Sequence, residues 1–305
     1  MRVLVTGGSG FLGAWIMRRL LGKGIGVRAF DLRADARLLQ ALAPEQAAAA
    51  QWASGDIANA ADVSRALHGC DAVIHLAGVL TPACALDPVR GAQINLIGTL
   101  NVFEAARAAG MTSVLYASSA GVFGPADGAV PFPQTFYGAF KLACEGAARA
   151  YWHEHGIASV GFRPLVVYGA GRETGSSAGP SLACRAAARG EPYTIPFTGS
   201  TGLVFADDVA AAYEAALMQA PRGAHVFTLA GDIVSVDQVI ERIGAIVPGA
   251  RIDTAGAPLP IATMFPVDPT LEELLPDLPH TSLTEGLRQT VDFYRQPASP
   301  AVQKK

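Results

Sequence analysis

Lysine is nearly missing from this chain: of its 23 basic residues only Lys23, Lys141, Lys304 and Lys305 are lysines, and the rest are arginines. Arginine serves wherever a generic positive charge suffices, so Lys141, alone between Lys23 and Lys304, asks for a specific explanation. Cysteine is scarce as well. Cys70, Cys84, Cys144 and Cys184 include no Cys-x-x-Cys pair, which argues against a zinc site or a disulfide frame and for reduced, mostly buried thiols. The six histidines form no cluster; His153 and His155, two apart, fall on different faces of a helix, so no metal is expected. Charge is low, at 16% with a formal net value of −3, which excludes disorder for the bulk of the chain. It also argues against nucleic acid, which asks for a basic face or stripe. No run of about 18 apolar residues escapes a charge or a turn residue, so no membrane span is expected. Arg2-Val3-Leu4-Val5-Thr6 reads as a strand where a secretory signal would place its charged and apolar regions. The expected compartment is the cytoplasm.

Apolar residues, by contrast, make up 50% of the 305 positions, enough to bury the core of one large domain or two modest ones. Candidate strands at Arg2–Thr6, Gly26–Phe30, Ala72–Leu76, Val114–Ala117 and Ala158–Phe162 alternate with helical stretches at Trp15–Leu21, Val63–His68, Ile94–Ala109 and Gly138–His155. That alternation predicts an α/β fold, a doubly wound parallel sheet of Rossmann type. The strands are nearly continuous apolar runs, as burial on both faces requires. After Arg163-Pro164 the texture changes. Gly- and Pro-rich loops at Gly169–Pro180, Gly190–Gly202 and Pro248–Pro269 predict a smaller, loop-rich C-terminal lobe laid across the top of the sheet. The expected division is residues 1–165 plus about 203–230 for the dinucleotide domain and about 166–202 with 231–295 for the substrate lobe; 296–305 would be a frayed tail.

The first strand runs into Thr6-Gly7-Gly8-Ser9-Gly10-Phe11-Leu12-Gly13, which opens a helix. Glycines let the backbone turn tightly and approach a pyrophosphate, whose charge the helix N-terminus stabilises. A Gly-rich turn alone also suits an ordinary strand-to-helix connection. Here a strand precedes it, a helix follows, and Asp31 ends the second strand 18 residues beyond Gly13. A carboxylate there accepts from a ribose 2′-hydroxyl and repels a 2′-phosphate, favouring NAD over NADP, with Arg33 nearby as a countervailing charge.

Tyr137-Gly138-Ala139-Phe140-Lys141 puts a phenol and an ammonium on one helix face. A free phenol titrates at about 10, too high for a base at neutral pH, and a neighbouring ammonium stabilises the phenolate. Such pairs occur by chance on many helices; the scarcity of lysine and the Gly-rich turn upstream favour chemistry. Ser118 and Ser119 end a preceding strand at its carboxyl end, where open α/β sheets bind ligands.

With these residues the sequence resembles the extended short-chain dehydrogenases/reductases of NAD-dependent epimerase/dehydratase type. The resemblance runs through Gly55-Asp56-Ile57, His75-Leu76-Ala77-Gly78, Asn95-Leu96-Ile97-Gly98-Thr99, Ala117–Gly124, Arg163–Gly169 and Phe205–Ala210. It implies that Ser119 and Tyr137 hold the reacting oxygen, with Tyr137 as acid/base. Lys141 would support the phenolate and bind the nicotinamide ribose, and Asn95 would sit behind the site, helping to hold the lysine and a water. NAD would rest on Gly7, Gly10, Phe11, Leu12, Gly13, Asp31 and Arg33, with Asp56 and Ile57 at the adenine. Leu76, Ala77, Gly78, Pro164 and Val167 would line the rest of the cofactor cleft. Thr81, Ala120 and Arg172 join Ser119 and Tyr137 on the substrate side; Arg172 could equally be a solvated loop residue.

Departures from the family pattern narrow the substrate. Relatives acting on nucleotide-diphosphate sugars carry an arginine before the Asp-Asp-Val element, whereas Gly199-Ser200-Thr201-Gly202-Leu203-Val204-Phe205 holds no cation. Without such clamps a diphosphate is poorly compensated. A dehydratase would carry an acidic pair where this chain has Ala120-Gly121, which disfavours dehydration. The expected activity is therefore an NAD-dependent dehydrogenase of a small hydroxylated molecule such as a sugar or sugar acid. An NAD-retaining sugar or nucleotide-sugar epimerase is the alternative, and a non-catalytic NAD(H)-sensing regulator a remote one. The expected partner is a second copy, paired through the helix that carries the tyrosine.

Overall fold

A computed structural model describes residues 1–124, 130–265 and 268–296, so most of the expected tail at 296–305 lies outside the described residues. Its strands are β1 (Arg2–Thr6), β2 (Gly26–Asp31), β3 (Gln51–Ser54), β4 (Ala72–His75), β5 (Ser113–Ala117), β6 (Ala158–Pro164), β7 (Val166–Tyr168), β8 (Tyr193–Ile195), β9 (Ser200–Phe205), β10 (Ala224–Leu229), β11 (Asp232–Ser235) and β12 (Ile252–Thr254). Seven of them form one parallel sheet in the order β10-β6-β5-β4-β1-β2-β3. The order runs outward in opposite directions from the β1–β4 pair, which makes the carboxyl ends of those two strands the topological switch point where such sheets bind ligands.

Burial follows the pleat. Val3 and Val5 of β1 pack with Ile16, Met17 and Leu20 of the helix Phe11–Gly22 on one face. Leu4 points to the other and packs with Phe30, Val63, Phe103 and Tyr116. Both faces are dry, so β1 carries no alternating polar residues. The rest of the chain adds a three-stranded sheet, β11-β9-β7, and a two-stranded one, β12-β8. β7 and β9 supply Val166, Tyr168, Leu203 and Phe205 to the same core as β1.

Two sheet strands were not visible in the sequence. β3, Gln-Trp-Ala-Ser, is a half-exposed edge without an apolar run, and β10, within the 203–230 stretch expected to belong to the cofactor domain, pairs in parallel with β6. The loops read at Gly190–Gly202 and Pro248–Pro269 contain β8, the start of β9, and β12. The helix read over Ile94–Ala109 opens with a π-turn, Gln93–Ile97, before the α-helix Gly98–Ala108.

Candidate active site

The turn after β1 is closed around missing side chains. Gly7 has φ +72°, and a Cβ on it would stand 2.9 Å from the Ala77 nitrogen. Gly13 packs directly on the Gly7 carbonyl and leaves no room for a Cβ. Gly10, which precedes the first helical residues Phe11 and Leu12, is less crowded but still tight: a Cβ there would meet the Gly7 carbonyl at 3.1 Å. No acidic residue stands in that helix's first turn, so its free amides face an uncontested anion cradle. Asp31 accepts from Ser9 N at 3.0 Å and Leu32 N at 2.8 Å, which fixes its carboxylate beside the turn. Arg33 is exposed, and its carbonyl accepts from Ser9 Oγ at 2.8 Å. These residues fit a dinucleotide: a side-chain-free floor for the pyrophosphate and an oriented acceptor for a ribose.

Asp56 already has company. It accepts from Arg90 Nη2 at 2.7 Å and from Ala58 N at 2.9 Å, and the arginine beside it holds its carboxyl below the usual range. Arg90 carried no signal in the sequence. Ile57 is buried and packs against Gly98. Across the turn, Leu76 N and Ala77 N donate to Thr6 Oγ1 at 3.1 and 3.2 Å. With two donors on the Thr6 oxygen, its own proton goes to His75 Nδ1, 2.7 Å away. His75 Nε2 then donates to Thr99 Oγ1 at 3.0 Å, and Thr99 donates to the Asn95 carbonyl at 2.6 Å. Complete burial, reinforced by Lys141, drives His75 down to about 3, so it is neutral and the chain has one direction.

Tyr137 opens the helix Phe136–His155, which Thr135 caps by accepting from Gly138 N at 3.0 Å. Gly138 sits on the Gly121 carbonyl with no space for a Cβ, which seats this helix against the turn that follows β5. Ser119 begins that turn, its Oγ accepting from Gly121 N at 3.1 Å. A Cβ on Gly121 would lie 3.3 Å from Ser119 Oγ and 3.7 Å from the Tyr137 ring, so serine and tyrosine flank one small space. An acidic side chain at that position would enter the space itself. Lys141 is 4% exposed; its Nζ donates to the Ala117 carbonyl at 2.6 Å and lies 5.8 Å from the Tyr137 ring centroid. Serine, tyrosine and lysine thus converge at the carboxyl end of β5. Ser118 donates to Glu145, a fully buried carboxylate that also takes a fork from Arg163.

Asn95 is buried behind the site: a Cβ on Gly78 would stand 2.5 Å from its Oδ1 and 3.8 Å from Lys141 Nζ. Its Oδ1 accepts from Val79 N and its Nδ2 donates to the Val79 carbonyl, each at 3.1 Å, with Cys84 Sγ 3.2 Å from the same nitrogen. The asparagine fastens the segment after Gly78, and Lys141 donates to the Ala117 carbonyl beside it. Pro164 ends β6, Val167 is buried in β7, and Thr81 opens the helix Thr81–Leu86. Ala120 is buried with Val122, Phe123, Leu165 and Ala262. The guanidinium of Arg172 lies 5.7 Å from the Phe11 ring centroid. His75, Thr99, Glu145, Arg163 and Arg90 are the polar residues around the site that sequence reasoning missed. Glu145 had a signal, one turn beyond Lys141 on the same helix face.

Residues 3–230 match the NAD dependent epimerase/dehydratase family. The UDP-glucose 4-epimerase of Mycolicibacterium smegmatis is 30% identical over 311 residues, covering 97% of this chain and 99% of that protein. The uronate dehydrogenase of Pseudomonas putida is 31% identical over 169 residues, 53% of this chain and 59% of that one. The crystal structure of the Thermus thermophilus UDP-glucose 4-epimerase in complex with NAD superimposes with a TM-score of 0.79 at 25% identity, covering 97% and 99% of the two chains.

Proposed function

This chain belongs to the NAD dependent epimerase/dehydratase family, an enzyme of the extended short-chain dehydrogenase/reductase type, and from that premise we propose that it is a dehydrogenase of a small hydroxylated substrate such as a sugar or sugar acid. The observation that carries this reading is the small space between Ser119 Oγ and the Tyr137 ring, above a buried Lys141. NAD supplies acceptance and return of a hydride when bound. The chain's own residues do the rest. Ser119 and Tyr137 hold the substrate hydroxyl, and the Tyr137 oxygen takes its proton as the hydride leaves the carbon. The Lys141 ammonium stabilises the negative phenolic oxygen that receives it. Gly7, Gly10 and Gly13 with the amides of Phe11 and Leu12 receive the pyrophosphate, and Asp31 a ribose. Leu76, Ala77, Gly78, Pro164 and Val167 border the nicotinamide side, with Thr81 and Ala120 toward the substrate.

Full-length similarity to a UDP-glucose 4-epimerase favours a second reading, epimerisation with cofactor retained. Against it, Thr201 through Phe205 are buried in β9 between β7 and β11, where a diphosphate-clamping cation has no counterpart. A panel of sugars, sugar acids, secondary alcohols and UDP-sugars tests the choice by NADH absorbance. The proposal expects NADH with a small substrate and weak binding of UDP. Tight UDP binding with isomerised sugar and no NADH would replace it by the second reading.

The same reading assigns residues 1–165 with about 203–230 to the cofactor domain, supported by β10 completing the parallel sheet. It pairs two copies through the helix Phe136–His155, supported by exposed Phe136 (52%) and by exposed Val89 and Ile97 on the segments Pro88–Ala92 and Gln93–Ile97, which pack against that helix. It places the enzyme in the cytoplasm, supported by four free cysteines; no helix among the described residues is long and apolar enough to cross a membrane.

A further inference from the structure

Arg172 sits at the end of a turn that is fixed from two sides. Trp15 Nε1 donates to the Ala170 carbonyl at 3.0 Å, and Gly171 N donates to the Tyr294 hydroxyl at 2.9 Å. The adjacent Glu173 is taken by Arg185, 3.1 Å away. From this mount the Arg172 guanidinium reaches back over the Phe11 ring, and its Nη2 and Leu80 Cδ1 both lie 3.2 Å from where a Gly175 Cβ would stand. Its Nε is buried and has no hydrogen-bond partner among the described residues. Burial pushes the guanidinium below the ordinary arginine value. No carboxylate among the described residues compensates it. A half-buried cation whose Nε is sealed from water and unpaired is costly, and it persists where something outside the chain supplies the charge.

We infer that Arg172 is the anchor for a carboxylate on the substrate, which makes the substrate a hydroxy acid. This rests on the dehydrogenase reading and names its substrate class. The guanidinium lies over the first residue of the glycine-turn helix and near Leu80, which precedes the Thr81–Leu86 helix on the substrate side, so an acid gripped there presents its carbinol to Ser119 and Tyr137. A planar fork matches one carboxylate in two parallel hydrogen bonds. A single fork matches a single negative charge, whereas a diphosphate on the substrate would carry two. The cofactor's pyrophosphate is the other anion within reach. It already has the free amides of the helix Phe11–Gly22, so the uncompensated cation is left for the substrate.

The test compares hydroxy acids of three to six carbons, each with its primary amide, on the full-length protein. Calorimetric titration in the presence of NADH reads binding, and NADH formation reads turnover. The expected result is binding and oxidation of an acid, with its amide weaker by about a hundredfold. In Arg172→Met that preference collapses while NAD affinity stays at the wild-type value; Arg172→Lys keeps part of it. Arg172→Met also melts at a higher temperature than wild type without ligands, since a half-buried, uncompensated cation has gone. A lower melting point with unchanged acid preference would mark Arg172 as structural and overturn the inference. Loss of NAD affinity with the preference intact would assign it to the pyrophosphate and overturn it equally. Carboxylates that bind through Arg172 but are never oxidised would keep this subsite and remove the dehydrogenase reading. Amides oxidised as well as acids would do the reverse.

Discussion

Tyr137→Phe removes one oxygen and leaves the ring, the helix cap at Thr135 and the seat of Gly138 on Gly121 in place. Turnover should fall by about a hundredfold or more, the range for a lost general acid–base group, with NAD affinity nearly unchanged. Lys141→Met should damage both, because the ammonium stands beside the phenol and is expected to contact the cofactor's ribose. Steady-state rates and a fluorescence titration with NADH separate the two effects; wild-type turnover in Tyr137→Phe would remove the tyrosine from the mechanism. At this scale the sequence was informative where a residue type is costly and its spacing specific. The lone central lysine, four positions from a tyrosine, is such a case. It was less informative for Arg172, whose meaning depends on burial without a partner, a property of three dimensions only. The bond of Asn95 to the Val79 backbone was not legible either, since Asn95 lies in a π-turn that no local pattern announces.

The helix Phe136–His155 carries the chemistry at its first turns and its anchor further along. Glu145, fully buried, receives Ser118 from the end of β5 and Arg163 from the end of β6, so one carboxylate ties the tyrosine helix to both strands. Arg163 also stacks on Phe123, 4.9 Å from its ring centroid, in the turn beyond Ser119. Glu145→Gln leaves the half-buried arginine without its counter-charge and should cost about 3 kcal/mol in urea unfolding, against about 1 kcal/mol for Ser118→Ala. Equal small losses would mean that the ion pair does not brace the helix. Element identity was legible wherever apolar periodicity dominates, as in β1, β4 and β5. β3 escaped because an edge strand needs little burial, and β8 and β12 because three-residue strands inside Gly- and Pro-rich segments carry no periodicity.

For the whole molecule, the switch point between β1 and β4 is also a titratable joint. His75, between Thr6 and Thr99, must be neutral to accept from Thr6 and donate to Thr99. Its folded value of about 3 lies below the ordinary 6.5, so the unfolded chain binds the extra proton between those limits. The stability it contributes is complete above pH 6.5 and is lost as pH falls toward 3. Denaturation midpoints should therefore decline below pH 6.5, and more shallowly in His75→Gln; identical slopes would show that His75 does not set the acid limit. The overall architecture was readable because the alternation of buried strands and helices allows few other folds. The three-stranded sheet β11-β9-β7 was not, since its short strands lie beyond the alternating half and only tertiary packing fixes their register. The most direct test of the central claim is the balance of the reaction at completion: NADH released against substrate consumed, for the first compound that the purified enzyme turns over. A dehydrogenase working through Ser119, Tyr137 and Lys141 releases NADH in equal amount to the substrate lost. Substrate converted to an isomer with no NADH released would contradict it.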